Sequence, residues 1–263
     1  MLSCESLFND QMDALQSNYF HGTKQFFDAN GAGNDLFGYS VSVSADGSTV
    51  AVGVIQDDIN GVSNQGSTWV YRWDGSSWVE KIITVDGVES EFFGCSVSVS
   101  ADGNTVVAGA FANGSYKGAA YVYRWNGSSW AKSIITASGT SSDARFGMSV
   151  AVSGDGNTIV VGVPRDDNTY TDQGSAYIYR WNGSAYVQMQ KIDASLPCEF
   201  SYFGSSVAIS GNGYTVVVGV PDDNITESDQ GSAYIYRWNG SAWVETERIE
   251  ADTGISGAHF GNS

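Results

Sequence analysis

The residues best suited to chemistry are acids gathered in three places: Asp57-Asp58-Ile59-Asn60, Asp166-Asp167-Asn168 with Asp172, and Asp222-Asp223-Asn224 with Glu227 and Asp229. Carboxylates and amide carbonyls at such spacing can hold a hard cation such as calcium, which takes about six to eight oxygen ligands. Adjacent acids are more commonly just a solvated acidic face. Paired carboxylates also do acid–base catalysis when a cleft pushes their pKa values apart, and no pattern here marks such a cleft. The two histidines, His21 and His259, lie in opposite terminal segments, and no Ser or Cys stands in a nucleophile elbow or beside a base. No enzymatic activity and no catalytic residue are therefore expected. Arg72, Arg124, Arg180 and Arg237 recur within Tyr-Arg-Trp. They could form a ring for an anionic ligand, but stacking on aromatics and pairing with acids is the plainer reading.

The elements that position these residues follow from composition and repetition. The chain has 263 residues, 42% hydrophobic and 13% aromatic, which excludes disorder. Twelve basic against 29 acidic residues give a net charge of −17, a field that repels phosphate backbones and anionic lipid. Nucleic acid is not an expected partner. Membrane insertion is not expected either, since no apolar run approaches the roughly 20 residues of a spanning helix. The start, Met1-Leu2-Ser3-Cys4-Glu5-Ser6, lacks a basic and an apolar region, so no signal peptide is visible. Cys4, Cys95 and Cys198 are too far apart for a disulfide framework or zinc site and read as free or buried thiols.

Phe37-Gly38-Tyr39-Ser40 returns as Phe93-Gly94-Cys95-Ser96, Phe146-Gly147-Met148-Ser149, Phe203-Gly204-Ser205-Ser206 and Phe260-Gly261-Asn262-Ser263, at steps of 56, 53, 57 and 57 residues. Each step repeats one order: a strand, a tight turn, a Val-rich strand, a polar loop, an aromatic strand, Asn-Gly or Asp-Gly, and a last strand. The Asn-Gly pairs predict type I′ hairpins. Apolar residues fall on both strand faces, so each sheet must be covered on both sides. The expected fold class is all-β: a β-propeller of four-stranded antiparallel blades over 20–263, with four complete repeats and partial repeats at both ends. Thr23-Lys24-Gln25-Phe26-Phe27 and Asp28-Ala29-Asn30-Gly31 match the outer strand and link before a later Phe-Gly. Residues 1–19 carry a loosely helical apolar spacing and read as a lead-in helix.

The unit F-G-x-S-V-x-[VI]-S-x-[DN]-G-x-T-[VI] resembles the FG-GAP repeat of the integrin α-chain β-propeller, over about residues 37–263. The resemblance implies a seven-bladed ring, of which this chain would be a fragment. A self-closed small ring or completion by another chain are the alternatives. In each unit the Phe (Phe37, Phe93, Phe146, Phe203, Phe260) plugs the gap between blades, and its Gly (Gly38, Gly94, Gly147, Gly204, Gly261) turns the chain into the innermost strand. The family's calcium loop is absent: the corresponding connection is cut to Ser44-Ala45-Asp46-Gly47-Ser48 and its equivalents, with one carboxylate each. No metal site is assigned and calcium is at most a candidate cofactor.

In such a meander the first and third hairpins open on one rim, and the second connection and inter-blade link on the other. The acidic loops fall on the second rim. The candidate ligand-binding residues are therefore Asp57, Asp58, Asn60, Asp166, Asp167, Asn168, Asp172, Asp222, Asp223, Asn224 and Asp229. The second repeat departs, with Phe111-Ala112-Asn113-Gly114 there and no acid. Sequons at Asn113, Asn126, Asn182, Asn224 and Asn239 are glycosylation candidates, although Asn-Gly-Ser is also what a tight hairpin selects. The resemblance implies a non-enzymatic adhesion or recognition module, extracellular or on a cell or particle surface, binding a protein or glycan. A surface-layer or virion component assembling through its edges is one alternative, and a glycan-active propeller enzyme another.

Overall fold

The computed structural model describes residues 34–84, 91–224, 228–250 and 256–263, all within one compact unit, Ala32–Ser263. The expected lead-in over 1–19 and the outer strand near Thr23–Phe27 lie outside the described residues. Four antiparallel sheets each form a meander in chain order. Blade 1 holds β1 (Phe37–Val43), β2 (Thr49–Val54), β3 (Ser67–Trp73) and β4 (Trp78–Ile83). Blade 2 holds β5 (Val97–Val99), β6 (Thr105–Ala110), β7 (Ala119–Trp125) and β8 (Trp130–Ile135). Blade 3 holds β9 (Ser149–Val152), β10 (Thr158–Val163), β11 (Ser175–Trp181) and β12 (Tyr186–Ile192), and blade 4 holds β13 (Ser206–Ile209), β14 (Thr215–Val220), β15 (Ser232–Trp238) and β16 (Trp243–Glu250).

The second strand of a blade is Val-rich and lies between two neighbours in its sheet; in blades 2 and 3, which have a sheet on either side, every residue of β6 and β10 is buried. Innermost strands pack in chain order, β1 on β5, β5 on β9 and β9 on β13. Among the described residues the core is three inter-blade layers. Each sets small or branched residues of one blade, such as Val160, Ile178 and Ile192, against aromatics of the next, such as Phe203, Tyr234, Tyr236 and Trp243. Phe93, Phe146 and Phe203 are fully buried in these layers, as the repeat motif requires.

The rest of the motif makes the joint between blades. Ser40, Ser96, Ser149 and Ser206 donate Oγ–H to the carbonyls of Gly94, Gly147, Gly204 and Gly261, the glycines opening the following unit, at 2.8–2.9 Å. Those carbonyls lie on Gly53, Gly109, Gly162 and Gly219, where a Cβ would stand 1.9–2.0 Å from the oxygen. Gly38 has the same positive φ as its counterparts, yet its absent Cβ faces open space. The first and last blades are correspondingly bare. Val41 of β1 is 68% exposed where its counterpart Val97 is 9%, and Ile249 of β16 is 38% exposed where Ile192 is 4%.

The turns on the first rim close on their own side chains. Asp46, Asp102 and Asp155 accept the Ser44, Ser100 and Ser153 hydroxyls at 2.5–2.6 Å and a backbone N–H at 2.9–3.0 Å. Asn212 replaces them in blade 4 without loss of the pattern. The Asn-Gly hairpins are not type I′. Asn126, Asn182 and Asn239 open four-residue loops in which only the following glycine has positive φ, and each Oδ1 accepts two backbone N–H groups. The side chain thus supplies what a second left-handed residue would have supplied. Asp74 does the same in blade 1, and the Ser77 and Ser76 N–H groups hold its carboxyl down at about 2.

Candidate functional site

The acidic loops join the second and third strands of blades 1, 3 and 4. Three residues beyond Val54, Val163 and Val220 stand Asp57, Asp166 and Asp223, whose N–H groups bond back to those valine carbonyls at 3.2–3.3 Å. Their own carbonyls accept from Gly66, Gly174 and Gly231. The acid pairs are therefore out of step. The buried member is the first of Asp57-Asp58 and Asp166-Asp167 but the second of Asp222-Asp223.

All three buried carboxylates accept a hydroxyl from the third strand: Ser67 to Asp57 at 2.5 Å, Ser175 to Asp166 at 2.7 Å and Ser232 to Asp223 at 2.5 Å. In blades 3 and 4 the outer strand adds a cation. Lys191 lies 2.9 Å from Asp166 and 5.6 Å above the Tyr177 ring; Arg248 lies 3.5 Å from Asp223 and 5.7 Å above Tyr234. Burial works against the Lys191 charge, but its bond to Asp166 prevails and its pKa sits above the ordinary lysine value. Burial next to Asp223 likewise pushes the Tyr234 hydroxyl up. These acids fasten the loops to the scaffold. The expectation that Asp57, Asp166 and Asp223 are displayed to a ligand is corrected, because desolvated carboxylates must be paired and these are.

The following residues, Asp58, Asp167 and Asn224, are exposed. Each Oδ1 accepts, at 2.8 Å, the N–H of Asn64, Asp172 or Asp229, residues that turn the chain at φ of +48° to +52°. Asp172 and Asp229 are thus turn residues at the loop's exit; desolvation raises the Asp172 pKa although Arg165 opposes it. Asn168 donates to Asp193 at 3.0 Å and accepts from Lys191. Asn60 is exposed, and Asp222 lies 2.7 Å from His259 Nδ1 of the next link.

Blade 2 solves the same problem differently. Asn113 takes the place of the buried Asp and donates Nδ2–H to Glu91, a buried acid from the inter-blade link, at 2.7 Å. Asn113, half-buried, thus has its candidate sequon amide committed to Glu91 and 3.3 Å from the Tyr121 hydroxyl. Among the described residues no three His, Cys, Asp or Glu side chains gather as metal ligands. Cys95 and Cys198 are free thiols, and burial pushes Cys95 up to about 11.

Three of the Tyr-Arg-Trp arginines, Arg72, Arg124 and Arg180, reach onto the next blade, and Arg237 of the last blade is exposed. Arg72 donates to Gly103 O at 2.8 Å and Asn104 Oδ1 at 2.9 Å, its guanidinium 5.1 Å over Trp125. Arg124 donates to Gly156 O at 3.0 Å and stacks 4.6 Å over Trp181, and Arg180 stacks 5.2 Å over Trp238. Expected pairing with acids gives way to turn carbonyls for Arg72 and Arg124 and to ring stacking for Arg180. Beside Arg72 a cavity of about 610 Å³ opens between blades 1 and 2, walled by Trp73, Trp125 and Trp130. The candidate residues read from the sequence lie on the other rim and do not include this cavity.

Radial four-stranded meanders with buried plugs at each joint define a β-propeller repeat protein. The model of the FG-GAP repeat family matches residues 23–71, 77–123, 130–179 and 186–236, and the chain belongs to that family. Among solved structures it is similar to a protein of Bacteroides fragilis provisionally assigned as a 6-phosphogluconolactonase (14% identity, TM-score 0.54, 86% of this chain and 59% of that one). It is also similar to a Bacteroides uniformis protein assigned in the same way (13%, 0.50, 82% and 57%) and to the WD40 repeats of RRP9 (9%, 0.50, 82% and 52%). At these identities the likeness concerns the fold alone, and the chain spans little more than half the length of those structures. No curated protein matches the chain significantly.

Proposed function

We propose that this chain is a non-enzymatic recognition module that presents the acidic-loop rim to a protein or glycan at an extracellular, cell or particle surface. The observation that carries the reading is the division of labour within each loop. One side chain, Asp57, Asp166 or Asp223, is buried to lock the backbone, while Asp58, Asp167 and Asn224 beside it face solvent. A locked loop loses little entropy on binding, which suits recognition. The buried acids are bound by hydroxyls and cations rather than open to a substrate, which favours binding over catalysis. Replacing Asp58→Asn and Asp167→Asn together keeps the Oδ1 acceptors, as Asn224 already does in blade 4, and removes two charges. On arrays of surface proteins and glycans the double variant is expected to bind at least tenfold more weakly than the parent with an unchanged melting temperature. Binding by the parent that survives the change intact overturns this reading.

A second reading, assembly through the blade ends, is favoured by the exposure of Val41 at one end and Ile249 at the other. It predicts a solution mass by light scattering well above 28.0 kDa that Asp58→Asn and Asp167→Asn leave unchanged. A monomer at millimolar concentration overturns it.

A further inference from the structure

We propose that the groove between blades 1 and 2 binds a neutral glycan, a short run of hexose or N-acetylhexosamine units. This deepens the recognition reading and rests on it, but moves the sugar to the opposite rim. At the two other joints among the described residues a side chain from the outer strand bonds across the corresponding place. Between blades 2 and 3, Tyr186 turns in: its hydroxyl donates to Gly156 O at 2.5 Å and accepts from Arg124 at 2.8 Å. Between blades 3 and 4, Gln190 crosses the joint. Its Nε2 donates to Trp243 O at 2.8 Å and its Oε1 accepts the Trp243 N–H at 2.9 Å.

At the first joint Trp130 stands in the place of Tyr186, opposite Trp125, and Lys81 in the place of Gln190, opposite Val70. An indole has no oxygen to accept from the arginine as the Tyr186 hydroxyl does, and Lys81 is exposed. The cavity of about 610 Å³ is what remains, within the size range of small-ligand sites.

Its walls have the chemistry of a sugar site. A pyranose has an apolar C–H face and a girdle of hydroxyls that both donate and accept. The indoles of Trp73, Trp125 and Trp130 match the first, and the second meets the Glu80 carboxylate, the Lys81 ammonium and the Ser129 hydroxyl. Ser129 Oγ already accepts from Asn126 Nδ2 at 3.1 Å, which leaves its proton to donate outward. Asp74 is spent on its own turn. An anionic ligand is disfavoured by Glu80 and by a chain charge of −17. A peptide is disfavoured because the β3–β4 and β7–β8 backbones lining the groove are already paired in their ladders, leaving only side chains to recognise.

The test is isothermal titration with tryptophan fluorescence, using chitotriose, cellotriose, maltotriose, mannotriose and a ten-residue proline-rich peptide. At least one trisaccharide is expected to bind and shift the emission. Lys81→Gln, which restores the bridging residue of the third joint, and Glu80→Ala are each expected to weaken that binding tenfold or more with unchanged melting. The proposal is overturned if no trisaccharide binds, if only the peptide binds, or if both variants bind as the parent does. Sugar binding lost in the Asp58→Asn, Asp167→Asn variant but kept in the groove variants also overturns it, while leaving the recognition reading in place on the other rim. A parent that captures nothing on the arrays yet binds a trisaccharide here supports the groove and removes the rim.

Discussion

Gly162→Ala is expected to destabilise the domain by about 3 kcal/mol or more, a large effect for one added methyl. Gly162 does not use a left-handed backbone, so alanine at this position would ordinarily stabilise by about 0.4–1 kcal/mol through the unfolded chain. Here its Cβ would lie 2.0 Å from Gly204 O and 2.2 Å from Ser149 Oγ. The carbonyl belongs to the backbone of blade 4 and the hydroxyl is its donor, so relief requires opening the joint. Gly211→Ala is the control: nothing lies within 4 Å of its Cβ and its φ is ordinary. Urea unfolding should show a much lower midpoint for Gly162→Ala and a shift within about 0.5 kcal/mol for Gly211→Ala. A Gly162→Ala protein as stable as the parent contradicts the joint geometry.

The second large effect is Asp166→Ala, expected to cost about 3–5 kcal/mol. The substitution strands the Lys191 ammonium and leaves the Ser175 and Tyr177 hydroxyls, at 2.7 and 3.3 Å, without their acceptor. Asp167→Ala, one residue along, removes a single exposed acceptor for the Asp172 N–H and should cost about 1 kcal/mol or less. Thermal or urea melting of the pair separates the two roles. Equal effects would mean that Asp166 is not the anchor. Because a broken buried pair costs more than an absent one, adding Lys191→Met to Asp166→Ala should return part of the loss.

The contrast between these neighbours marks where sequence reading stopped. Strand order and blade boundaries were legible, because each is fixed by residues that recur at every step; of the five motif phenylalanines Phe93, Phe146 and Phe203 are buried, whereas Phe37 is half-buried and Phe260 is 38% exposed. The loops were not, because Asp166-Asp167 and Asp222-Asp223 look alike and sit one residue apart in the fold. A signal was present. Counting three residues from Val54, Ala110, Val163 and Val220 aligns Asp57, Asn113, Asp166 and Asp223, and a Ser follows the loop glycine in every unit except the one with Asn113, where Ala119 stands. Donor and acceptor change together between blades of one chain. The cavity had no comparable signal. Its existence depends on which side chain bonds across a joint, Tyr186 at the second and Gln190 at the third, and a register shift in the β11–β12 pair, absent from β3–β4 and β7–β8, helps set the reach of Gln190.

The serine-to-glycine bond between units also gives the row of blades a polarity. Every unit sends a hydroxyl forward and offers a carbonyl backward, so two copies brought together by the same end face like against like, and only opposite ends are complementary. Each joint repeats this one exchange, so a unit inserted or lost leaves the serine-to-glycine bond available at every remaining joint. Repeat number in such a protein can drift through duplication with this bond kept, while the side chains around it change from joint to joint.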